Sequence, residues 1–346
     1  MPLKPDRLPE MAELAAWLGR YKRPPRQLNT LNSADCELIR LSKKETLAIT
    51  VDTLSDEMDV GLYAEPETAG WMTAVVSLSD LSAVGADPLG LLVSNTWGEG
   101  VSLDYKKAYA RGLHASLRKN RAALLGGDSG SGRASVHSAV GVGLVKGKVI
   151  QRVPIKPGAI LAHAGRVGLG PALGFKLLLQ KREAALRESD FRPVPRLREG
   201  RALKELATAL MDTSDGFMTT VYNLAVLNGV GFELDWNEKL IDPKAAAFCR
   251  EAGLPLSSLL FGEHGDYQLL AAIPPRLWSR AKARVPSLIP VGRAVPAKRG
   301  FSMSAGTGPR FSLPLTEVQS LPRKALVDIL KAFETVVEFL RKTGAP

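Results

Sequence analysis

Residues 67–96 read ETAGWMTAVVSLSDLSAVGADPLGLLVSNT, a helix-like run followed by a strand-like run. Apolar side chains dominate residues 67–84, and Pro66 and Gly85 flank this run as helix start and stop signals. Residues 91–96, LLVSNT, begin with an apolar run and are strand-like. Because such runs alternate along the chain, the sequence predicts an α/β or α+β fold.

Similar patterns continue on both sides of this segment. Strands are predicted at residues 47–51, 122–125, 135–145, 160–164, 232–236 and 268–273, and another leads into Met211 and Asp212. Helices are predicted at residues 105–119 and 171–180, after Asp215, and over 323–342, the last with one apolar stripe. Prolines and a glycine interrupt the pattern near residues 148–158, which predicts a domain boundary there.

Bulk composition limits the possible classes of protein. The chain has 346 residues, of which 45% are apolar, enough for about two globular domains. No stretch has the roughly 20 apolar residues needed to cross a bilayer, and there is no signal-peptide pattern. Two cysteines are too few for a disulfide framework, so a cytoplasmic location is expected. The net charge of +11 comes without aromatic-rich basic tracts or DNA-binding motifs, so neither nucleic acid nor membrane is expected as a partner.

Aspartates recur at the ends of predicted strands. Asp52 lies in ITVDTL, Asp128 in ALLGGDSG, and Asp212 and Asp215 in ALMDTSDGF. One such residue is usually a turn or a helix cap, but three strands ending this way suggest a ligand site at a sheet edge. Converging carboxylates need cations between them, and Mg²⁺ prefers oxygen ligands that it shares with phosphates. Asp80, inside the apolar helix, also requires a partner or a metal.

Glycines accompany these acids. Gly126 and Gly127 precede Asp128, and backbone without side chains can approach a phosphate closely. The stretch from Gly127 to Gly132 is close to a P-loop but lacks its lysine and hydroxyl residue, so a P-loop is excluded.

Together these motifs resemble the thiamine-monophosphate kinase branch of the aminoimidazole-ribonucleotide synthetase superfamily. The resemblance covers about residues 32–300, in the order ITVDTL, GWMTAVVSLSDLSAVGADP, LLGGDSGSG, IKPG, FRPVPRLREG, MDTSDGF, GDYQLL and PVGRA. It implies a PurM-like two-domain architecture, in which the N-terminal domain forms a dimer barrel and binds ATP and the C-terminal domain is α/β. The expected divisions are an ATP- and Mg-binding domain at 1–150, a C-terminal domain at 151–315 and an amphipathic helix at 316–346.

The resemblance also implies roles for single residues. The residues expected to bind Mg²⁺ are Asp52, Asp80, Asp128, Asp212 and Asp215, with Asp128 and Asp215 also expected to be catalytic. Residues expected to bind ATP are Gly126, Gly127, Arg152 and Ser214. The family is homodimeric, so a homodimer is expected here.

The sequence departs from the family at several positions. The usual pair of aspartates in the first motif is Ala34-Asp35, so one metal ligand is lost or replaced by Asp35. Asp59 stands where these kinases have a substrate-contacting histidine. Gly265 replaces a glutamate, although Glu263 is near, and a C-terminal aromatic residue has no counterpart. Asp59 and Glu263 are therefore the expected substrate contacts, and thiamine monophosphate is predicted to be a poor substrate or none.

Three functions follow from these observations. The first is a Mg-ATP-dependent phosphotransferase that transfers the γ-phosphate of ATP to a small phosphorylated metabolite. The alternatives are an ATP-dependent synthetase of the aminoimidazole-ribonucleotide or selenophosphate type, for which Cys36 is a weak argument, and a non-catalytic nucleotide-binding paralogue.

Overall fold

A five-stranded sheet forms the N-terminal half of the molecule. The computed structural model describes residues 9–181, 184–304, 310–321 and 326–345. The strands are β1 (Glu37–Arg40), β2 (Glu45–Thr53), β3 (Asp87–Gly98), β4 (Ala123–Gly132) and β5 (Val136–Lys146). They lie in the order β1-β2-β5-β3-β4, and only the β3–β4 pair is parallel. β4 is therefore an edge strand.

A seven-stranded sheet forms the C-terminal half. Its strands are β6 (Ile160–Ala164), β7 (Ala209–Asp212), β8 (Val230–Asp235), β9 (Leu269–Ile273), β10 (Leu288–Pro296), β11 (Phe301–Ser304) and β12 (Arg310–Ser312). Their order is β12-β11-β8-β10-β6-β9-β7, which places β7 at one edge. The mixed α/β architecture predicted from the sequence is confirmed.

Helices surround both sheets. They are α1 (Pro9–Leu18), α2 (Ser55–Asp59), α3 (Pro66–Ala83), α4 (Leu103–Asn120), α5 (Leu169–Leu178), α6 (Leu197–Leu203), α7 (Phe217–Asn228), α8 (Pro243–Ala252), α9 (Trp278–Arg284), α10 (Leu315–Gln319) and α11 (Leu326–Thr343). Short 3₁₀ turns occur at Glu188–Asp190, Glu238–Leu240, Leu256–Phe261, Pro275–Leu277 and Ala297–Arg299.

Helix α3 is the central element of the N-terminal half. It packs on α4 and on β2 and β5, and it also contacts α6 and β7 from the other half. Fourteen of its 18 residues are buried, which explains why its sequence is apolar on every side. A Cβ atom at Gly70 would overlap the Tyr109 carbonyl oxygen, so glycine allows α3 and α4 to pack closely. The helix therefore holds Asp80 at the junction of the two sheets.

The C-terminal helix packs against the body of the protein, as its apolar stripe predicts. Phe333 lies 4.6 Å from Phe175 of α5, measured between ring centroids, and Leu340 is fully buried. The predicted start of this helix at Arg323 lies outside the described residues.

One expectation about local structure is wrong. The sequence predicts a glycine loop at residues 126–132 after a short strand, but β4 continues through Gly132. The reason is that every residue from Gly126 to Gly132 pairs with β3, and these hydrogen bonds outweigh the low strand propensity of glycine. Only glycine fits at position 127, because a Cβ atom there would overlap the Val93 carbonyl oxygen. Asp128 therefore lies within a strand rather than after one.

Candidate active site

Three carboxylates converge where the two halves of the chain meet. One oxygen of each of Asp35, Asp80 and Asp212 lies within 4.8 Å of the others. Asp35 comes from the segment before β1, Asp80 from the last turn of α3, and Asp212 from the end of β7. The edge position of β7, together with its contact to α3, brings Asp212 to the N-terminal half.

Hydroxyl groups orient two of these carboxylates. Thr50 Oγ1 donates a hydrogen bond to Asp80 Oδ2. Ser79 Oγ donates to Asp212 Oδ2 at 2.6 Å, and Ser214 Oγ donates to Asp212 Oδ1 at 3.1 Å. Sequence motifs alone do not identify Thr50 and Ser79. Only their place in the sequence could have identified them, since Thr50 precedes Asp52 by two residues in one strand and Ser79 directly precedes Asp80.

Burial and charge repulsion raise the pKa of Asp80 and of Asp212. Burial is the main cause of the raised pKa of Asp80, followed by repulsion from Asp212, Asp52 and Asp35. Burial, and then Asp35, raises the pKa of Asp212 to about 8, although the hydrogen bond from Ser79 opposes this. Without a counter-ion, the cluster is therefore an unfavourable concentration of negative charge.

Arg152 partly neutralises the cluster. Its Nη2 atom lies 3.0 Å from Asp35 Oδ1, and its Nη1 atom donates to the Asn32 carbonyl at 3.4 Å. Burial alone would lower the pKa of Arg152, but Asp35 more than offsets this and the pKa is raised. Arg152 is therefore already paired with Asp35 in this structure. Its expected contact with ATP stays a prediction.

The remaining predicted metal ligands differ in how near they lie to the cluster. Asp52, near the end of β2, raises the pKa of Asp80, and Asp215 raises that of Asp212, so both lie within electrostatic reach. Asp128 is exposed on β4 and is not part of the three-carboxylate cluster. Gly126 and Gly127 lie on the same edge strand as Asp128.

The expected substrate contacts lie at the surface. Asp59 is exposed at the end of α2, and Glu263 is exposed in the segment before β9. Gly265 has no room for a side chain, because a Cβ atom would overlap the carbonyl oxygens of Thr213 and Ser214. No side chain at position 265 can therefore contact a substrate.

Glu57 is a further acid that the sequence motifs do not identify. Burial, with repulsion from Asp56 and Asp215, raises its pKa to about 7, despite a backbone hydrogen bond. It lies on the short helix α2, which also ends at Asp59. Nothing in the sequence distinguishes it from its acidic neighbours.

The donor set suits a magnesium ion. Asp35 Oδ2 is buried and has no hydrogen-bond partner within the described part of the chain. A buried carboxylate oxygen without a donor is costly unless a cation meets it. Carboxylate oxygens at this spacing match the ligand preference of Mg²⁺.

Comparisons with known proteins identify relatives of this chain. Residues 33–149 match the family model described as AIR synthase related protein, N-terminal domain. The chain is 30% identical over 275 residues to a thiamine-monophosphate kinase from Salmonella typhimurium, covering 77% of this chain and 82% of that protein. Within the described residues, no helix has both the length and the apolar character needed to cross a membrane.

Solved structures show the same fold. The protein tt0281 from Thermus thermophilus matches with a TM-score of 0.72 and 26% identity, covering 88% of this chain and 97% of that one. A structure of AaThiL complexed with AMPPCP and TMP matches with a TM-score of 0.70 and 24% identity, covering 85% and 92% of the two chains. At that identity the second match is evidence for the fold alone.

Proposed function

The chain belongs to the thiamine-monophosphate kinase family and is an ATP-dependent kinase, and we propose that it transfers the γ-phosphate of Mg-ATP to a phosphate-bearing acceptor beside Asp35, Asp80 and Asp212. The observation that carries this proposal is the convergence of those three carboxylates. Phosphoryl transfer needs little covalent chemistry from the protein, so positioning and charge neutralisation dominate. The resemblance to a kinase and the acidic cluster therefore point to the same reaction.

Asp35, Asp80 and Asp212 would hold magnesium ions, with Asp52 and Asp215 completing the set. Bound Mg²⁺ supplies neutralisation of charge on the transferring phosphate. The protein contributes orientation, because hydroxyl groups fix the carboxylates by hydrogen bonds and the buried helix α3 holds Asp80 in place.

The proposed ATP contacts are Gly126, Gly127, Ser214 and Arg152. Arg152 now pairs with Asp35, and a metal ion in the cluster would take over that carboxylate. The guanidinium could then turn to a phosphate oxygen, which offers it the same kind of charge-assisted hydrogen bond.

Asp128 lies outside the three-carboxylate cluster, so a bound ligand would be needed to connect the two. It lies on an exposed edge strand, and nine of the ten residues of β4 pair with β3 in a register with a single irregularity. We propose that a nucleotide binds along this strand. Asp128 would then bind the Mg²⁺ ions that accompany the nucleotide's phosphates. Asp215, near the cluster, is the second proposed catalytic acid.

A homodimer is proposed through the exposed face of the first sheet. Val140 of β5 is paired with Val51 of β2 on one side and with Leu92 of β3 on the other. Side chains paired across strands share a face, and Val51 and Leu92 are 70% and 43% exposed. An apolar row of this kind is typical of an interface, and a second copy is the partner that the family suggests.

The acceptor is expected to differ from that of typical members of the family. Asp59 is exposed, and its carboxylate would repel the acceptor's phosphate where a histidine could donate a hydrogen bond. Gly265 has no room for a side chain that could contact an acceptor. Tyr267 is buried near Phe191 and cannot present its ring face as a stacking surface. Glu263 remains as a proposed substrate contact.

The synthetase alternative is not favoured. Burial, followed by the repulsion of Asp80, raises the pKa of the Cys36 thiol well above its ordinary value. A protonated, buried thiol is a poor nucleophile. Cys36 therefore packs as a small apolar residue and does not support a selenophosphate-type reaction.

The decisive experiment is an ATP-turnover screen against phosphorylated metabolites, thiamine monophosphate included. Phosphorylation of one of them that is lost in Asp80→Asn supports the proposal. The matched control is Asp104→Asn, since Asp104 is an exposed acid at the start of α4, outside the cluster. No turnover with any acceptor, while Mg-ATP still binds, would overturn the proposed transfer to a phosphorylated metabolite.

A further inference from the structure

A cleft of about 670 Å³ lies where residues of the two halves of the chain meet. Residues 190–196 form one wall, and the start of α5, the end of α4 and β10 form the others. None of the six aspartates assigned to the metal site lines it. The cleft therefore shares no residue with the acidic cluster, although Gln268 on its wall donates a hydrogen bond to Thr213, the neighbour of Asp212.

Four basic side chains line the cleft: Lys119, Arg166, Arg192 and Arg196. Within the described residues, Lys119 and Arg166 are exposed and have no ion pair or side-chain hydrogen bond. Arg192 Nη1 donates to Thr68 Oγ1 at 2.6 Å and to the Phe191 carbonyl oxygen at 3.1 Å, and both acceptors are uncharged. The cleft therefore presents positive charge that its own partners do not fully neutralise.

Arg196 is the most buried of these cations. Its Nε atom donates to Gln268 Oε1, and Glu199 lies 3.7 Å from its Nη1 atom, a long ion pair. Burial lowers the pKa of both Arg196 and Arg192. Desolvated guanidinium groups of this kind gain strongly from an anion with two oxygens to offer.

The acids of the cleft are already engaged. Asp190 pairs with Lys244 at 2.6 Å, and Asp242 accepts a hydrogen bond from the Lys244 backbone at 2.8 Å. Asp266 accepts from the backbone N–H groups of Gly168 and Gly170. Within the described residues, these three carboxylates therefore bond to other donors of the protein and form no ion pair with the arginines of the cleft.

An apolar surface adjoins the basic groups. Leu169, Val194 and Ile289 line the same cleft and are half-buried. A cleft of this volume exceeds the needs of a bare phosphate ion and falls within the range of small-molecule sites. Its ligand should therefore carry both an anion and an apolar group.

We propose that this cleft binds a phosphate monoester that carries an apolar group. Its phosphate would lie at Arg166, Arg192 and Arg196, with the apolar group against the side chains of Leu169 and Ile289. The site is independent of the proposed kinase reaction, because it contains none of the acids assigned to that reaction.

Calorimetry of the full chain with inorganic phosphate and with phenyl phosphate tests the proposal. The titrations are done in EDTA at constant ionic strength, because EDTA removes metal ions that could otherwise bind phosphate at the acidic cluster. Phenyl phosphate is expected to bind roughly tenfold more tightly than inorganic phosphate, since its ring leaves water. Arg166→Gln should weaken both by about tenfold, the usual effect of losing one charge-assisted hydrogen bond.

Arg276→Gln is the matched control, since Arg276 is exposed and lies outside the cleft. Arg166 has no partner in the described residues, so its replacement should leave thermal unfolding unchanged. Equal affinity of both variants and the wild-type protein would overturn the proposal, as would the absence of saturable binding. Equal affinity for the two probes would overturn the assignment of a monoester. Displacement of phenyl phosphate by AMPPCP with Mg²⁺ would place it in the active site and refute a second site.

Discussion

Asp35 and Arg152 form a buried ion pair, 3.0 Å from Oδ1 to Nη2, that joins segments 117 residues apart. The Asp35 side chain is fully buried, and its second oxygen has no hydrogen-bond donor in the described part of the chain. One guanidinium thus faces three carboxylates. The remaining negative charge determines how this site should respond to pH and to magnesium.

Stability without metal should fall as the pH rises. Asp212 has an ordinary pKa of 3.8, which burial raises to about 8 in the folded protein. The folded state therefore holds more protons than the unfolded state between these values, and stability is lost through that window. In EDTA the melting temperature is expected to decrease from about pH 4 to about pH 8, with a smaller decrease in Asp212→Asn. Asp104→Asn should behave as the wild type, and a flat profile would contradict the idea.

ATP binding should depend on Mg²⁺. The acids around Asp80 repel a polyphosphate unless cations lie between them. Calorimetry with a non-hydrolysable ATP analogue is expected to show saturable binding in magnesium and none, or far weaker binding, in EDTA. The same affinity in both buffers would count decisively against the proposed metal site.

Asp128→Asn should abolish turnover and leave the fold intact. Asp128 is exposed on β4 and supports no core, whereas loss of a ligand to a catalytic metal removes several kcal/mol of transition-state stabilisation. A decrease in kcat of about a thousandfold is expected. Asp104→Asn, at an exposed acid at the start of α4, is the control. Activity within about tenfold of wild type would mean that Asp128 is not a ligand.

The apolar row of the first sheet should hold two copies together. Leu92→Asp places a charge beside Val140, in the proposed interface, and should yield monomers in sedimentation at micromolar concentration. Leu103→Asp is the control, because Leu103 is 66% exposed at the start of α4, away from the row. A wild-type chain that sediments as a monomer would refute the dimer itself.

Thiamine monophosphate should be a poor acceptor. Each missing contact is worth about 1–3 kcal/mol, so kcat/KM should be reduced by roughly a hundredfold or more. Asp59→His should raise kcat/KM for this acceptor by restoring a hydrogen-bond donor, while leaving the KM for ATP unchanged. Asp59→Asn separates the removal of charge from the gain of the imidazole. Ordinary kinase efficiency in the wild type would show that Asp59 and Gly265 do not alter specificity.

The sequence by itself determined most of the local elements and predicted which acids to expect at the site. The predicted ends of helix α3 and strand β2 agree with the structure to within about two residues, because apolar periodicity and flanking prolines and glycines act locally. Asp80 is identified by its place in an apolar helix, where a carboxylate requires a partner.

Tertiary structure alone decided which acids meet. Asp35, Asp80 and Asp212 are far apart in the chain, and their convergence depends on α3 packing against β7 of the other sheet. The ion pair of Arg152 with Asp35 and the continuation of β4 through its glycines have the same origin. Local propensity does not predict these features, because they are stabilised by contacts between segments that only the folded chain brings together.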